Sequence, residues 1–368
     1  GSRVCLSDNS YLINCRGSND ANIIKLELLK LLEKLTGKTN EWGTLTGVRP
    51  LKIAKKIYDD AGSIEGMQYM LKFVYALSDD KIALLTDTLK YQLEYVKESP
   101  LGRIGIYIGI PFCPTRCSYC SFASNVAADE EIEDYLCNLL EEIRYMGELI
   151  TAHNEAIESI YIGGGTPTTL SSEQLERLLT RCEDSFCVSP ADIEFTVEAG
   201  RPDTITAEKF EVLKKHGVSR ISINPQTMKN ETLALIGRQH SSEQIVEGYR
   251  LASEYGFEII NADLIAGLQD ETLDDFRDSL NKVIELGANN ITVHTLSVKT
   301  GSRLKESDPE YYRRNAENVT AMLDESRRIL YDNGFYPYYL YRQKHQIGSL
   351  ENVGYCKADM HSLYNIRI

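Results

Sequence analysis

Cys113, Cys117 and Cys120 fall within Ile110-Pro111-Phe112-Cys113-Pro114-Thr115-Arg116-Cys117-Ser118-Tyr119-Cys120, a C-x3-C-x2-C run. Thiolates are the natural ligands of iron–sulfur clusters, and short spacers let neighbouring cysteines reach different irons of one cube. Three ligands on a [4Fe–4S] cluster leave one iron open, and an open iron can chelate a substrate through an amino and a carboxylate group. Zinc is the competing reading, but structural zinc takes four protein ligands. No second C-x2-C pair follows, and Cys356 is the one downstream cysteine that could complete a tetrahedron. The other five cysteines, Cys5, Cys15, Cys137, Cys182 and Cys187, read as small apolar residues, and nine cysteines placed so unevenly do not make a disulfide framework.

These ligands need a scaffold, and the surrounding pattern supplies one. Short runs rich in β-branched residues alternate with amphipathic segments, the signature of successive βα units. Six strands are expected at Ile104–Ile110, Ile157–Ile162, Ile193–Glu198, Val218–Ile223, Phe257–Ile265 and Asn290–Leu296. Helices are expected at about 130–150, 172–185, 206–216, 241–256, 272–287 and 309–333. Repeated right-handed crossovers curl a parallel sheet toward a barrel with its functional groups at the strands' carboxyl ends. A full barrel has eight units, so the expectation is an α/β fold with a partial, open TIM-like (β/α)6 barrel.

Before the barrel, Ala21 to Glu98 reads helical, interrupted by Trp42-Gly43-Thr44-Leu45-Thr46-Gly47-Val48-Arg49-Pro50, and Ser99-Pro100-Leu101-Gly102 marks a boundary. The expected division is a small helical N-terminal domain over 1–100, a barrel core over 101–300, and a helix with an aromatic extension over 301–368. Tyr336-Pro337-Tyr338-Tyr339-Leu340-Tyr341 in that extension is expected to pack as an extra strand or as a wall over the opening. Gly1-Ser2 reads as a cloning scar.

Other chemistry-bearing residues gather at expected strand ends. Gly163-Gly164-Gly165-Thr166-Pro167 closes the second strand, where glycines let the backbone approach a ligand. Glu198 closes the third and could accept hydrogen bonds from hydroxyl or ammonium groups, or pair with Arg201 or Arg220. Gln226, Arg238 and Asp263 follow or end later strands, and a lone Asp in an apolar strand is costly unless it is paired or at a site. His294 reads as a hydrogen-bonded core residue.

Together these words resemble the radical S-adenosylmethionine superfamily and, within it, the oxygen-independent coproporphyrinogen III oxidase family, nearest its HemZ-like (coproporphyrinogen dehydrogenase) branch. The resemblance runs from about Trp42 to the end, on Tyr107 to Cys113, Gly163 to Pro167, Val197-Glu198-Ala199-Gly200-Arg201-Pro202, Asn224-Pro225-Gln226 and Asp263 to Leu268. It implies that Cys113, Cys117 and Cys120 hold the [4Fe–4S] cluster with Tyr107 and Tyr119 nearby. It also implies that Gly164, Gly165, Thr166, Glu198, Gln226, Arg238 and Asp263 surround S-adenosylmethionine, with Arg238 meeting a carboxylate. The implied activity is anaerobic radical chemistry on a tetrapyrrole, converting coproporphyrinogen III to protoporphyrinogen IX in haem biosynthesis, with flavodoxin or ferredoxin as electron donor. Two departures stand out. The oxidases carry another cysteine two residues after the third ligand, where this chain has Phe122, and their C-terminal domain is not evident by Asn365-Ile366. One branch of the family is a haem-binding chaperone that also lacks that cysteine, so this alternative stays open.

Composition narrows the remaining classes. Forty basic residues against 54 acidic ones give a net charge of −14, which disfavours a nucleic-acid surface. The basic run Arg49 to Lys56 reads as the solvated face of a helix. No stretch approaches the roughly 18 apolar residues of a membrane span, and the start lacks a secretory pattern, so a cytoplasmic protein is expected.

Overall fold

The computed structural model describes residues 2–6, 9–13, 21–97, 102–122 and 124–367, with no side-chain account before Ala21. Residues 99–101 of the expected boundary and Cys15 lie outside the described residues, and the side chain of Cys5 is likewise undescribed. The chain forms two compact units, Gly1–Tyr95 with Pro337–Arg342, and Val96–Tyr336 with Gln343–Ile368.

The first unit contains an antiparallel hairpin, β1 (Ser2–Leu6) and β2 (Asn9–Ile13), and four helices, α1 (Ala21–Thr36), α2 (Pro50–Ala61), α3 (Ile64–Phe73) and α4 (Asp79–Tyr95). Pro50 occupies the first turn of α2, where its missing N–H costs nothing. Pro50, Leu51 and Ala54 are buried while Lys52 and Lys56 are exposed and Lys55 pairs with Asp59 at 2.6 Å, so the basic run is a solvated helix face. Trp42 is fully buried, with the Arg342 guanidinium 4.9 Å from its ring centre.

The second unit alternates β3 (Arg103–Ile110), α5 (Asp129–His153), β4 (Ala156–Gly164), α6 (Ser172–Phe186), β5 (Glu194–Glu198), α7 (Ala207–Lys215), β6 (Arg220–Ser222), α8 (Asn230–Leu235), α9 (Ser242–Glu254), β7 (Ile259–Ala266), α10 (Leu273–Glu285) and β8 (Asn290–Thr295). α11 (Arg303–Ser307) and α12 (Ala316–Asp332) follow; then come β9 (Tyr336–Arg342), which falls mostly in the first unit, β10 (Glu351–Cys356) and α13 (Leu363–Arg367). Reciprocal capping boxes at Ser171/Gln174, Ser241/Gln244 and Thr272/Asp275 start α6, α9 and α10.

β3 to β8 pair in parallel in chain order, and β10 joins β8 antiparallel. Among the described residues β3 pairs only with β4, so the sheet remains open, the partial (β/α)6 barrel expected from sequence. One face carries Ile160, Ile162, Val197, Ile221, Ala262, Leu264, Ile291 and Val293, all buried. Alternation puts Tyr107, Tyr161, Thr196, Glu198, Ser222, Asn261, Asp263, Thr292 and His294 on the opposite face, a polar barrel interior.

The expected aromatic extension is indeed a strand, β9, but β10 was not legible. Glu351-Asn352-Val353-Gly354-Tyr355-Cys356 reads as a polar, Gly-containing loop, yet every residue is buried. Thr295 explains this: its N–H donates to Asn352 Oδ1 at 2.8 Å and its hydroxyl to the Glu351 carbonyl at 2.7 Å. The helix expected over 309–333 is confined to α12, preceded by α11 and a single 3-10 turn. No helix among the described residues is long and apolar enough to cross a membrane.

Candidate functional site

The cysteine loop begins where β3 ends and is tied down on several sides. Cys113 N–H donates to Asn125 O at 3.0 Å, and Ser118 N–H to Ile236 O at 2.9 Å. Thr115 donates its hydroxyl to Gly237 O at 3.1 Å, while Arg201 Nη1 donates to Thr115 O at 3.1 Å. Arg116 reaches Gly301 O at 2.7 Å and Leu304 N–H reaches Ser118 O at 2.9 Å. Arg201, buried by Asp203 at 3.3 Å, therefore positions the loop instead of pairing with Glu198.

Cys117 is buried, and Cys113 and Cys120 are half-buried. Burial raises the Cys120 thiol pKa, and the charges of Cys117 and Cys113 add to the rise, so the three sulfurs share one neighbourhood. Among the described residues no three His, Cys, Asp or Glu side chains converge as ligands of a single ion. Ligands to three different irons of a cube have no need to converge in that way. Cys356 pairs across β10 with Asn290, the first residue of β8, and so sits at the amino end of the sheet, away from the loop. That takes away the one downstream cysteine that could have completed a zinc tetrahedron.

Glycines bring β4 against this loop. Gly164 has φ +114°, and a Cβ on Gly165 would stand 2.5 Å from Phe112 O. Gly165 and Thr166 N–H groups donate to Ile110 O and Phe112 O at 2.8 and 2.7 Å, and the Thr166 hydroxyl lies 3.4 Å from Cys113 Sγ. Gly164, Gly165 and Thr166 thus form one wall of the cysteine site.

Arg238 forms another. It is buried, donates from Nη1 to Asn224 O at 2.6 Å, and interacts with Tyr119 and Cys117. Burial opposes its charge, but Tyr119 and Cys117 outweigh that and keep it protonated. Burial conversely pushes the Tyr119 hydroxyl pKa up. Arg238 Nε and Asn224 Oδ1 are buried without a hydrogen-bond partner among the described residues. Orphaned buried polar atoms are rare and call for a ligand or ordered water.

Farther around the barrel, Tyr161 donates its hydroxyl to Glu198 at 2.5 Å. Burial raises the Glu198 pKa to about 7, aided by Asp263 and opposed by Tyr161 and the Gly164 N–H. Asp263 behaves oppositely: burial would raise its pKa, but His294, Asn261 and Arg238 hold it below its ordinary value. Its contacts are Asn261 Nδ2 at 2.9 Å and His294 Nε2 at 3.5 Å. Gln226 has φ +67°, a left-handed conformation that costs a side-chain-bearing residue about 1–2 kcal/mol. Its N–H donates to Asp263 O at 2.8 Å and its carbonyl accepts from Ile265 at 3.0 Å, and these two bonds hold it there. Tyr107 is 50% exposed and stacks with Tyr161 and Tyr364 at 6.0 and 5.9 Å; burial, then Glu198, raises its pKa to about 12.

The residues singled out from sequence therefore fall into connected groups: the cysteines with Gly164, Gly165, Thr166, Tyr119 and Arg238, and Glu198 with Asp263, Gln226 and Tyr107. Sequence reasoning passed over Tyr161, Asn224 and His294 as site residues. Strand alternation would have found two of them, since Tyr161 shares a face with Gly163 and His294 with Thr292.

Residues 107–283 match the radical SAM superfamily model. The oxygen-independent coproporphyrinogen-III oxidase-like protein HemZ of Bacillus subtilis is 41% identical over 94% of this chain and 70% of its own length. The chain belongs to the HemZ branch of the HemN-like radical SAM family. The haem chaperone HemW of Bacillus subtilis is 37% identical over 52% of this HemZ-like chain and 50% of its own. Coproporphyrinogen III oxidase HemN of Escherichia coli, a radical SAM enzyme by its description, superimposes with a TM-score of 0.59 at 25% identity, over 73% of this chain and 58% of that one. The chain thus spans only about half of these HemW and HemN proteins. Membership carries with it a superfamily defined by S-adenosylmethionine and a [4Fe–4S] cluster.

Proposed function

We propose that this protein is a radical S-adenosylmethionine enzyme acting on a tetrapyrrole, with Cys113, Cys117 and Cys120 as ligands of a [4Fe–4S] cluster. The observation that carries this reading is the tethered three-thiol loop walled by Thr166 and Arg238, beside two orphaned buried polar atoms. Three soft donors without a fourth suit a cube with one open corner. The cluster and cofactor together supply one-electron reductive cleavage of the sulfonium C–S bond, yielding methionine and a 5′-deoxyadenosyl radical.

The chain's own residues bind and orient. Arg238 offers a fixed cation and a spare N–H to a carboxylate beside Cys117, and Asn224 Oδ1 offers an acceptor to an ammonium group. Gly164 and Gly165 admit a ligand close to the backbone. Asp263, held ionised, accepts from hydroxyl or amino groups; Glu198, with its raised pKa, exchanges a proton near neutrality and can donate or accept. Gln226, just after β6, is held in a strained backbone position by its bonds to β7.

The finer reading is oxidative decarboxylation of coproporphyrinogen III to protoporphyrinogen IX, with flavodoxin or ferredoxin as donor. A second reading is a haem-carrying chaperone on the same scaffold. Phe122, 66% exposed, stands where the oxidases carry another cysteine, and the HemW relatives favour it. Anaerobic reconstitution followed by dithionite and S-adenosylmethionine separates the two. Four irons and four sulfides per chain with 5′-deoxyadenosine, and protoporphyrinogen from added coproporphyrinogen, support the enzyme. An intact cluster giving no 5′-deoxyadenosine, with stoichiometric haem bound, supports the chaperone.

A further inference from the structure

A net charge of −14 makes unpaired cations conspicuous in this chain. On the outer helices arginines are matched to acids: Arg144 to Glu141 and Glu148, Arg250 to Glu247 and Glu254, and Arg328 to Glu325 and Asp332. Three cations beside the cysteine loop break that pattern. Arg116, Lys299 and Arg303 have no carboxylate partner among the described residues; Arg116 bonds only the Gly301 carbonyl.

Backbone contacts bring these three together. The segment after β8 is laced to the cysteine loop twice, by Arg116 Nη2 to Gly301 O at 2.7 Å and by Leu304 N–H to Ser118 O at 2.9 Å. Lys299 lies two residues before the first attachment point, and Arg303 lies between the two. Ser302 fixes the turn by donating its hydroxyl to Lys299 O at 2.8 Å; the Lys299 side chain is half-buried, and its ammonium has no hydrogen-bond acceptor among the described residues. It lies close enough to Cys120 for that thiol's charge to act on it. An ammonium with no protein acceptor beside the site is open to an anionic ligand.

We infer that Lys299, Arg303 and Arg116 form a carboxylate subsite on the rim of the cysteine site, and that the substrate is held there by acidic side chains. The subsite is distinct from Arg238, which is buried and contacts Asn224, Tyr119 and Cys117. An ammonium and two guanidinium groups on two segments tied together match a ligand bearing several carboxylates better than one bearing a single carboxylate, because each guanidinium takes a carboxylate bidentately. This inference rests on the tetrapyrrole reading and sharpens it: recognition is through propionate-type groups and not through the macrocycle alone.

The test is binding of coproporphyrin III, the stable oxidised form, to the full chain by fluorescence anisotropy, beside its tetramethyl ester, in which every carboxylate is neutralised. Lys299→Gln and Arg303→Gln should each weaken coproporphyrin III binding by about tenfold. The double variant should bind the acid no better than the wild type binds the ester, and Lys299→Arg should stay within about threefold of wild type. Iron and sulfide contents matched to wild type guard against a misfolded loop. Equal binding of acid and ester by wild type, or undiminished binding by the double variant, overturns the subsite while leaving the tetrapyrrole reading intact. A wild-type chain that binds neither porphyrin overturns both.

Discussion

The two ends of the barrel sheet handle polar groups in opposite ways. At the amino end they are used on the chain itself. Glu194, the first residue of β5, accepts from the Ser362 hydroxyl at 3.0 Å and from the Leu363 and Tyr364 N–H groups at 2.7 and 3.1 Å, capping α13. Arg220, the first residue of β6, donates to the carbonyls of Met360 and His361 at 3.1 and 2.9 Å, and Asn290 donates to Met360 at 2.8 Å. At the carboxyl end Arg238 Nε and Asn224 Oδ1 have no hydrogen-bond partner among the described residues, Gln226 sits left-handed, and burial raises the Glu198 pKa to about 7. One end closes the fold, and the other keeps its polar capacity for something that is not protein.

The largest expected difference lies in the sulfur ligands. Cys117→Ala should abolish cluster assembly and 5′-deoxyadenosine formation together, read as iron and sulfide per chain and by chromatography; retained cleavage would refute the ligand assignment. Next comes Arg238→Met, which removes the cation beside Cys117. It should weaken S-adenosylmethionine binding by about 10- to 100-fold, the range of one hydrogen bond to a charged group. Equilibrium binding that stays within twofold would place the cofactor's carboxylate elsewhere.

The sequence made the carboxyl end far more legible than the amino end. The Cys113–Cys120 spacing, the glycines after β4 and the lone Asp263 in an apolar strand are local signals that chemistry imposes on short words. Capping of α13 by Glu194 joins residues about 170 positions apart, and no periodicity reports such a pairing. β10 escaped for a related reason: its buried Asn352 side chain accepts from the Thr295 N–H and from Gln346 Nε2, and Thr295 lies 57 positions away. His294 has the sequence pattern of a hydrogen-bonded core residue, and its 3.5 Å approach to Asp263, with its charge acting on Glu198, attaches it to the site.

The proton balance sharpens the contrast. Glu198 has its pKa raised to about 7, from an ordinary value of 4.5. For a carboxyl raised on folding, the unfolded chain releases its proton first, so the folded state loses stability as pH climbs between those values. In the cofactor-free protein, Glu198→Gln should therefore flatten the fall in stability between about pH 4.5 and 7, measured by urea unfolding across that range. An unchanged slope would mean that the carboxyl is not held neutral. Glu194→Ala at the other end should behave as a lost helix cap, lowering stability by about 1–2 kcal/mol. Its melting temperature should fall by a few degrees, while 5′-deoxyadenosine formation stays within twofold of wild type.

The smallest effect is the most discriminating. Gln226 holds a backbone conformation that only glycine adopts freely, and it does so at the end of β6, where two hydrogen bonds to β7 fix it. Replacing it by glycine removes a strain of about 1 kcal/mol, partly offset by the added freedom of the unfolded chain. Gln226→Gly should thus match or slightly exceed wild type in urea midpoint, yet bind S-adenosylmethionine more weakly. If instead it lost stability and kept its affinity, the glutamine would be serving the fold, and the division between a structural end and a functional end would fail at its most strained residue.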